Sequence, residues 1–231
     1  MGKGKAEEDG WATIRKQMPR WGFDGLRYFE ICREAWRKMK QMEAELAKLR
    51  DSQPPNRKSL GSPGGPHRAQ VTTSLDEEAR DQECVAIAFA AMCLEACIWD
   101  YAACHKSKSY TENHLERLNF VSKWVIIPEL LCGSDITKVR IDGKCLMDEL
   151  NKLRRARNAL VHARSKPTLP PNTEELFEAL RPERGIAPED ALRLIQHLLG
   201  ELEKVDKTNW WFFKSDAYRD IIKKIHESSS T

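Results

Sequence analysis

The chain has 231 residues with 38 basic and 35 acidic side chains, a net charge of +3 and an apolar fraction of 41%. This composition supplies one sizeable folded core and excludes a disordered tail. The N-terminus lacks the apolar segment of a signal peptide, and no uninterrupted apolar run approaches the ~20 residues that cross a bilayer. We therefore expect a cytoplasmic protein, with neither secretion nor membrane insertion.

The seven cysteines are odd in number and form no Cys-x-x-Cys pair. Most fall at apolar helical positions, which is typical of reduced core residues. Cys93, Cys97, Cys104 and His105 lie near one helix face, yet four ligands from a single helix with apolar neighbours make a poor zinc site. We expect neither a metal nor a cofactor.

The sequence of residues 1–50 predicts an N-terminal amphipathic helical arm. Asp24 can cap a helix that runs to about Arg50, and its apolar residues are spaced by three or four, which gives a stripe that packs within the chain or in a dimer. Residues 51–73 contain Pro54-Pro55 and Pro63-Gly64-Gly65-Pro66, which predict a flexible linker and a domain boundary.

The next segment, Ser74-Leu75-Asp76-Glu77, has the pattern of a capping box and predicts the start of a long, central helix that ends near Ala103. Glu95 and Asp100 lie within its apolar stretch. Because a buried carboxylate needs a partner, both are candidate site residues.

Further helices are predicted along the rest of the chain. One begins at Thr111, breaks near Pro128 and ends at Gly133, and a loop with a turn at Asp142-Gly143 follows. The other helices are predicted over residues 145–165, 172–180, 188–205 and 215–225, with Trp210 to Phe213 as a core or interface anchor. No segment alternates with period two for long enough to form a sheet, so the fold class is all-α.

The helix over residues 145–165 carries an arginine in an apolar stripe. Leu146, Leu150, Leu153 and Leu160 share one face, and Arg157 falls in its middle. An arginine there must pair with a carboxylate such as Glu95 or Asp100, or line a cleft that a ligand or second subunit completes.

Polar and basic residues flank that stripe. Arg154, Asn158 and His162 follow i, i+4, i+8 spacing, so they lie on one polar edge. Residues 151–170 contain six basic residues and no acidic one, so Arg155, Arg164 and Lys166 are candidates for contact with phosphate.

Three segments resemble HEPN domains. Arg157-Asn158-Ala159-Leu160-Val161-His162 matches the Arg-x4-His signature of that family, including the asparagine that often follows the arginine. The segment that begins Leu94-Glu95-Ala96 is similar to a stretch on an early helix of such domains, and the one that begins Lys123-Trp124 is similar to a segment between the two. The resemblance covers about residues 76–166.

The resemblance implies an up-and-down bundle of four to five helices over residues 74–231, which dimerises through the signature helix. It further implies a metal-independent endoribonuclease, in which His162 assists attack by the ribose 2′-hydroxyl and Arg157 stabilises the phosphate. Asn158, Glu95 and Arg154 would support the site. Single-stranded RNA is the expected substrate, because its splayed bases and exposed 2′-hydroxyls suit a cleft.

The sequence is compatible with two different functions. The first is this endoribonuclease, acting as a toxin or phage-defence effector that a separate inhibitory partner protein holds in check. The second is a non-catalytic interaction or nucleotide-binding module, in which the arginine and histidine are structural. The acid-free basic flank favours the first, and the near-neutral charge of the remainder favours the second.

Overall fold

A computed structural model describes residues 24–51, 65–141, 143–163, 185–206, 218–221 and 223. The main helices in these ranges are α1 (Asp24–Asp51), α2 (Gly65–His105), α3 (Phe120–Cys132), α4 (Leu146–Ala163) and α5 (Pro188–Val205). The predicted all-α helical bundle is confirmed. The helix expected over residues 172–180 and the aromatic run from Trp210 to Phe213 lie outside the described residues.

The helices α1 and α2 form an antiparallel hairpin. The Arg50 guanidinium at the end of α1 lies 4.0 Å from the Asp76 carboxylate near the start of α2. At the other end, Gly25 packs so closely on α2 that an added Cβ would lie 2.7 Å from the Cys97 Sγ. Phe29 and Cys32 of α1 are fully buried in the same core as α2. The helix α1 therefore packs in the same core as the rest of the bundle.

The start of α2 differs from the expectation. The helix begins at Gly65, inside the predicted linker 51–73, and Ser74 to Glu77 lie in its interior. Pro66 stands in the first turn, where its missing N–H group breaks no helical hydrogen bond, and no glycine or proline follows it in α2. The capping-box pattern therefore does not mark a helix start here.

The helix α2 is the centre of the bundle, with α1, α3, α4 and α5 packed around it. Its buried face is centred on Ile87, Leu94, Ile98 and Tyr101, each fully buried. A stretch of α2 has a mean hydropathy of 1.6, so by length and composition this helix could cross a membrane. Half of that stretch is buried inside the bundle, and the central helix of a packed domain has the same character.

The segment between α2 and α3 also differs from the expected single helix. A helical turn at Lys108–Tyr110 leads into a π-helical turn at Thr111–Leu115, and the chain then leaves the helix. The Ser122 backbone N–H donates to the Asn119 side chain at 3.0 Å and so starts α3 afresh. Pro128 is accommodated inside α3 and does not break it, whereas Gly133 ends the helix as expected, with a left-handed φ of 66°.

A two-stranded hairpin leads into α4. The strands β1 (Arg140–Ile141) and β2 (Lys144–Cys145) pair antiparallel, and Gly143 adopts a φ of 78° in the turn between them. The helix α4, which carries Arg157, starts directly after β2.

The helix α5 closes the bundle with a strongly apolar face. Ile195, Leu198, Leu199 and Leu202 on this helix are fully buried. The helical residues 218–221 pack beside it, and the Tyr218 hydroxyl donates to a carboxylate oxygen of Glu203 at 3.0 Å.

Candidate active-site cleft

A cleft of about 620 Å³ opens along one side of α2. Its walls come from the start of α1, from α2, α3 and α4, and from the turn segment after α2. The lining residues are Asp24, Tyr28, Met92, Glu95, Ala96, Trp99, Asp100, Lys108, Glu112, Glu116, Lys123 and Arg157.

Glu95 holds two cations on this wall. The Lys123 ammonium donates to Glu95 Oε1 at 2.9 Å, and the Arg157 guanidinium lies 3.8 Å from Glu95 Oε2. The expected proximity of Glu95 and Arg157 is thus confirmed. Both side chains are more open than a core pair, with 34% of Glu95 and 36% of Arg157 exposed.

Lys123 is the residue that sequence reasoning missed. Its side chain is 6% exposed, so it is the most buried charge of the three. The sequence signal for it is a lysine beside Trp124 and Val125 in a largely apolar helix. A buried ammonium needs a carboxylate partner, so Lys123 fixes where the Glu95 carboxylate lies.

The apolar stripe of α4 explains how Arg157 reaches the cleft. Leu146, Leu150 and Leu153 are fully buried and anchor the first half of the helix. Beyond them Leu160 is half-buried, and Arg157 lies where the stripe meets the cleft. The expected pairing of Arg157 with a carboxylate is confirmed, and Arg157 also lines a cleft, whose completion by a ligand or second subunit stays a prediction.

The other predicted site residues lie along α4 or just beyond it. Arg154 and Asn158 are half-buried, and Arg155 is exposed. Among the described residues, neither Arg154 nor Arg155 forms an ion pair. His162 belongs to α4, but its side chain lies outside the described part of the chain, as do Arg164 and Lys166.

The cleft contains more acidic than basic residues. Five carboxylates line it, against the three cations Lys108, Lys123 and Arg157. Burial, and then the nearby Asp24 carboxylate, raise the pKa of Asp100 from 3.8 to about 7. The charge of the cleft therefore changes with pH near neutrality.

The cysteines of α2 have the character of core thiols. Cys93 and Cys97 are buried, and a hydrogen bond with Cys97 together with burial raises the pKa of Cys93. Burial also raises the pKa of Cys104. The raised pKa values favour the protonated thiols of Cys93 and Cys104, and the buried Cys93 and Cys97 are core residues, as the sequence predicted.

Replacing Glu95 with glutamine should destabilise the fold by about 2 kcal/mol, because the buried Lys123 ammonium loses its carboxylate. The effect should fall below the ~3–5 kcal/mol that is typical of fully buried pairs, because water reaches Glu95. Urea unfolding measures the change. The control is Glu189→Gln, which removes an exposed pair with Arg193 and should cost less than about 0.5 kcal/mol. Equal losses in the two variants would contradict the role of Lys123.

The chain matches no protein-family profile, no curated protein and no solved structure. Functional assignment therefore depends on the residues themselves and on their placement around the cleft.

Proposed function

We propose that the chain is a metal-independent endoribonuclease that cuts single-stranded RNA at a cleft containing Arg157 and His162. The observation that carries the proposal is the position of Arg157. Its guanidinium lies in the cleft wall with 36% of the side chain exposed, five residues before His162 on the same helix. A guanidinium binds phosphate through parallel hydrogen bonds, and a histidine exchanges protons near neutral pH.

In this proposal the contacts of Glu95 assign separate roles to Glu95, Lys123 and Arg157. A phosphate in the cleft can take over the 3.8 Å contact that Arg157 makes with Glu95, while Glu95 keeps its 2.9 Å bond to Lys123. Lys123 and Glu95 thus hold Arg157 in position without forming bonds to the substrate. His162 removes the proton of the 2′-hydroxyl as that oxygen attacks the phosphorus. The bond from phosphorus to the 5′-oxygen breaks, the 5′-oxygen takes up a proton from solvent to become a hydroxyl, and a 2′,3′-cyclic phosphate remains on the upstream fragment.

The direct experiment is incubation of the purified chain with single-stranded RNA, followed by analysis of the product ends. Cyclic phosphate ends that form in the presence of EDTA support the proposal. Intact RNA across varied sequences, in the presence of a folded dimer, contradicts it.

We also predict a homodimer whose interface includes residues 150–165. Val161 of α4 is 54% exposed, and a second α4 would cover it while adding basic residues beside the acidic cleft. Light scattering at micromolar concentration should give twice the 26.6 kDa chain mass. Val161→Glu should weaken the dimer at least about tenfold, since it would bury a charge at the interface.

The matched control for the dimer is Val71→Glu, at an exposed valine on α2. This variant should remain dimeric. A wild-type chain that is monomeric, or a dimer that tolerates Val161→Glu as well as Val71→Glu, would contradict an interface on α4.

The excess of acidic over basic residues in the cleft favours a second candidate function. In this case the chain is an interaction module that binds a basic segment of a partner protein. In that case Arg157 pairs with Glu95 as a structural contact only. A chain that binds cationic peptides but leaves RNA intact would identify this function.

A further inference from the structure

The C-terminal ends of three helices bring three possible metal ligands together. His105 is the last residue of α2, Cys132 is the last residue of α3, and Asp206 directly follows α5 as its C-cap. One ligand atom from each of these side chains lies within 4.8 Å of the other two. Within the group, His105 Nε2 is 2.9 Å from an Asp206 carboxylate oxygen. Residues 27 and 101 positions apart from His105 thus meet in one cluster.

The cluster is mostly buried, and neighbouring side chains contact its members. The Asp206 side chain is fully buried, and that of His105 is 13% exposed. The Tyr101 hydroxyl lies 2.9 Å from Cys132 Sγ, and the Tyr101 ring meets the His105 ring edge-on with centroids 4.6 Å apart. Such outer contacts orient the ligands of a metal ion.

The donor set matches zinc. Imidazole nitrogen, thiolate sulfur and carboxylate oxygen bind Zn²⁺ at about 2.0–2.3 Å, which places any two donors about 3.3–3.7 Å apart. The observed donors lie within 4.8 Å of one another, with His105 and Asp206 at 2.9 Å, so binding requires donor shifts of about one ångström or less. Three protein ligands leave the fourth tetrahedral position for water.

The backbone favours a cation at the same point. Each helix carries partial negative charge on its C-terminal carbonyl groups, so three C-termini that converge give a local negative potential. The buried Asp206 carboxylate adds a full negative charge. A divalent cation at this point would be attracted by both.

We propose that His105, Cys132 and Asp206 form a zinc-binding site that fastens the ends of α2, α3 and α5 together. Binding replaces the Cys132 thiol proton, which is released to solvent, by a sulfur–zinc bond. This site is independent of the proposed ribonuclease function. It lies ten residues beyond Glu95 along α2, which is about 15 Å of helix rise.

Cobalt substitution tests the site on the full chain. After treatment with a chelator, the protein is titrated with Co²⁺, whose bond to a thiolate gives a charge-transfer band in the near ultraviolet. We expect this band in the wild type, its loss in Cys132→Ser, and its displacement by an equivalent of Zn²⁺. The matched control is Cys145→Ser, which removes another half-buried thiol away from the cluster and should keep the band.

Zinc-dependent stability gives a second readout that does not need the thiolate signal. Zn²⁺ should raise the thermal midpoint of the wild type and of Cys145→Ser, and should leave that of Asp206→Asn unchanged. Circular dichroism confirms that each variant is helical before titration. A wild type without the cobalt band, a Cys132→Ser variant that keeps it, or a zinc effect that persists in Asp206→Asn would overturn the proposal in favour of a histidine–carboxylate ion pair.

Discussion

Substituting His162 with alanine is expected to lower the rate of RNA cleavage by about 10²–10⁴-fold, because the acid–base step loses its proton acceptor. Arg157→Ala should cause a comparable loss by removing the charge that stabilises the phosphate in the transition state. Both variants should fold. Glu95 keeps its 2.9 Å bond to Lys123 when Arg157 is removed, so no buried carboxylate is left without a partner. Gel analysis of labelled RNA measures the rates.

The control for this pair is Arg193→Ala, which removes an exposed arginine on α5. Its rate should equal that of the wild type. DNA should remain intact, because it lacks the 2′-hydroxyl. Cleavage of DNA, a requirement for added divalent metal, or full activity of His162→Ala would each contradict the mechanism. The EDTA experiment should be run well below the thermal midpoint of unfolding. EDTA would remove zinc from the proposed site, which would lower the stability of the fold but leave the cleavage reaction unaffected.

The second large expected effect is a dependence of the free energy of unfolding on pH, caused by Asp100. Its folded pKa is raised from 3.8 to about 7, so the fold favours the protonated carboxyl. This contribution is present in full below the unfolded pKa and is lost as pH rises through about 7. The shift corresponds to about 4 kcal/mol, and partial contact of Asp100 with water lowers the expected effect to about 3 kcal/mol.

Asp100→Asn should therefore match the wild type in stability at pH 4 and exceed it by about 3 kcal/mol at pH 8. Urea unfolding at both values measures the difference. Asp81→Asn, at an exposed position of the same helix, should differ from the wild type by less than about 0.5 kcal/mol at either pH. If Asp100→Asn were no more stable than the wild type at pH 8, the Asp100 carboxyl would be solvated in the folded protein, and its raised pKa would be contradicted.

The parts of the structure that the sequence predicted are those with a strong local signal. The stripe of α1, the helix α5 with a proline in its first turn, and the helix α4 follow from spacing and from proline residues in or beside them. The proximity of Glu95 to Arg157 also follows, because each is a charge at an apolar position. The start of α2 was missed because a capping-box pattern is equally compatible with the exposed interior of a helix.

The long-range parts could not be read from the chain. The helix α2 is apolar around most of its circumference, so periodicity did not identify its inward face. The apolar residues Met92, Ala96 and Trp99 line the cleft, whereas Ile87 and Leu94 are fully buried. The pairing of Lys123 with Glu95 and the meeting of His105 with Asp206 depend on how helices pack, which local spacing does not encode.

The hairpin of α1 on α2 brings residues from outside the region that resembles HEPN domains to the wall of the cleft. Arg157 lies inside that region, whereas Asp24 and Tyr28, which line the same cleft, come from α1. A fragment of residues 76–166 would keep Arg157 but lose the wall that α1 supplies. Substitutions at Asp24 or Tyr28 can therefore alter the width and charge of the cleft while Arg157 and its contact with Glu95 stay unchanged.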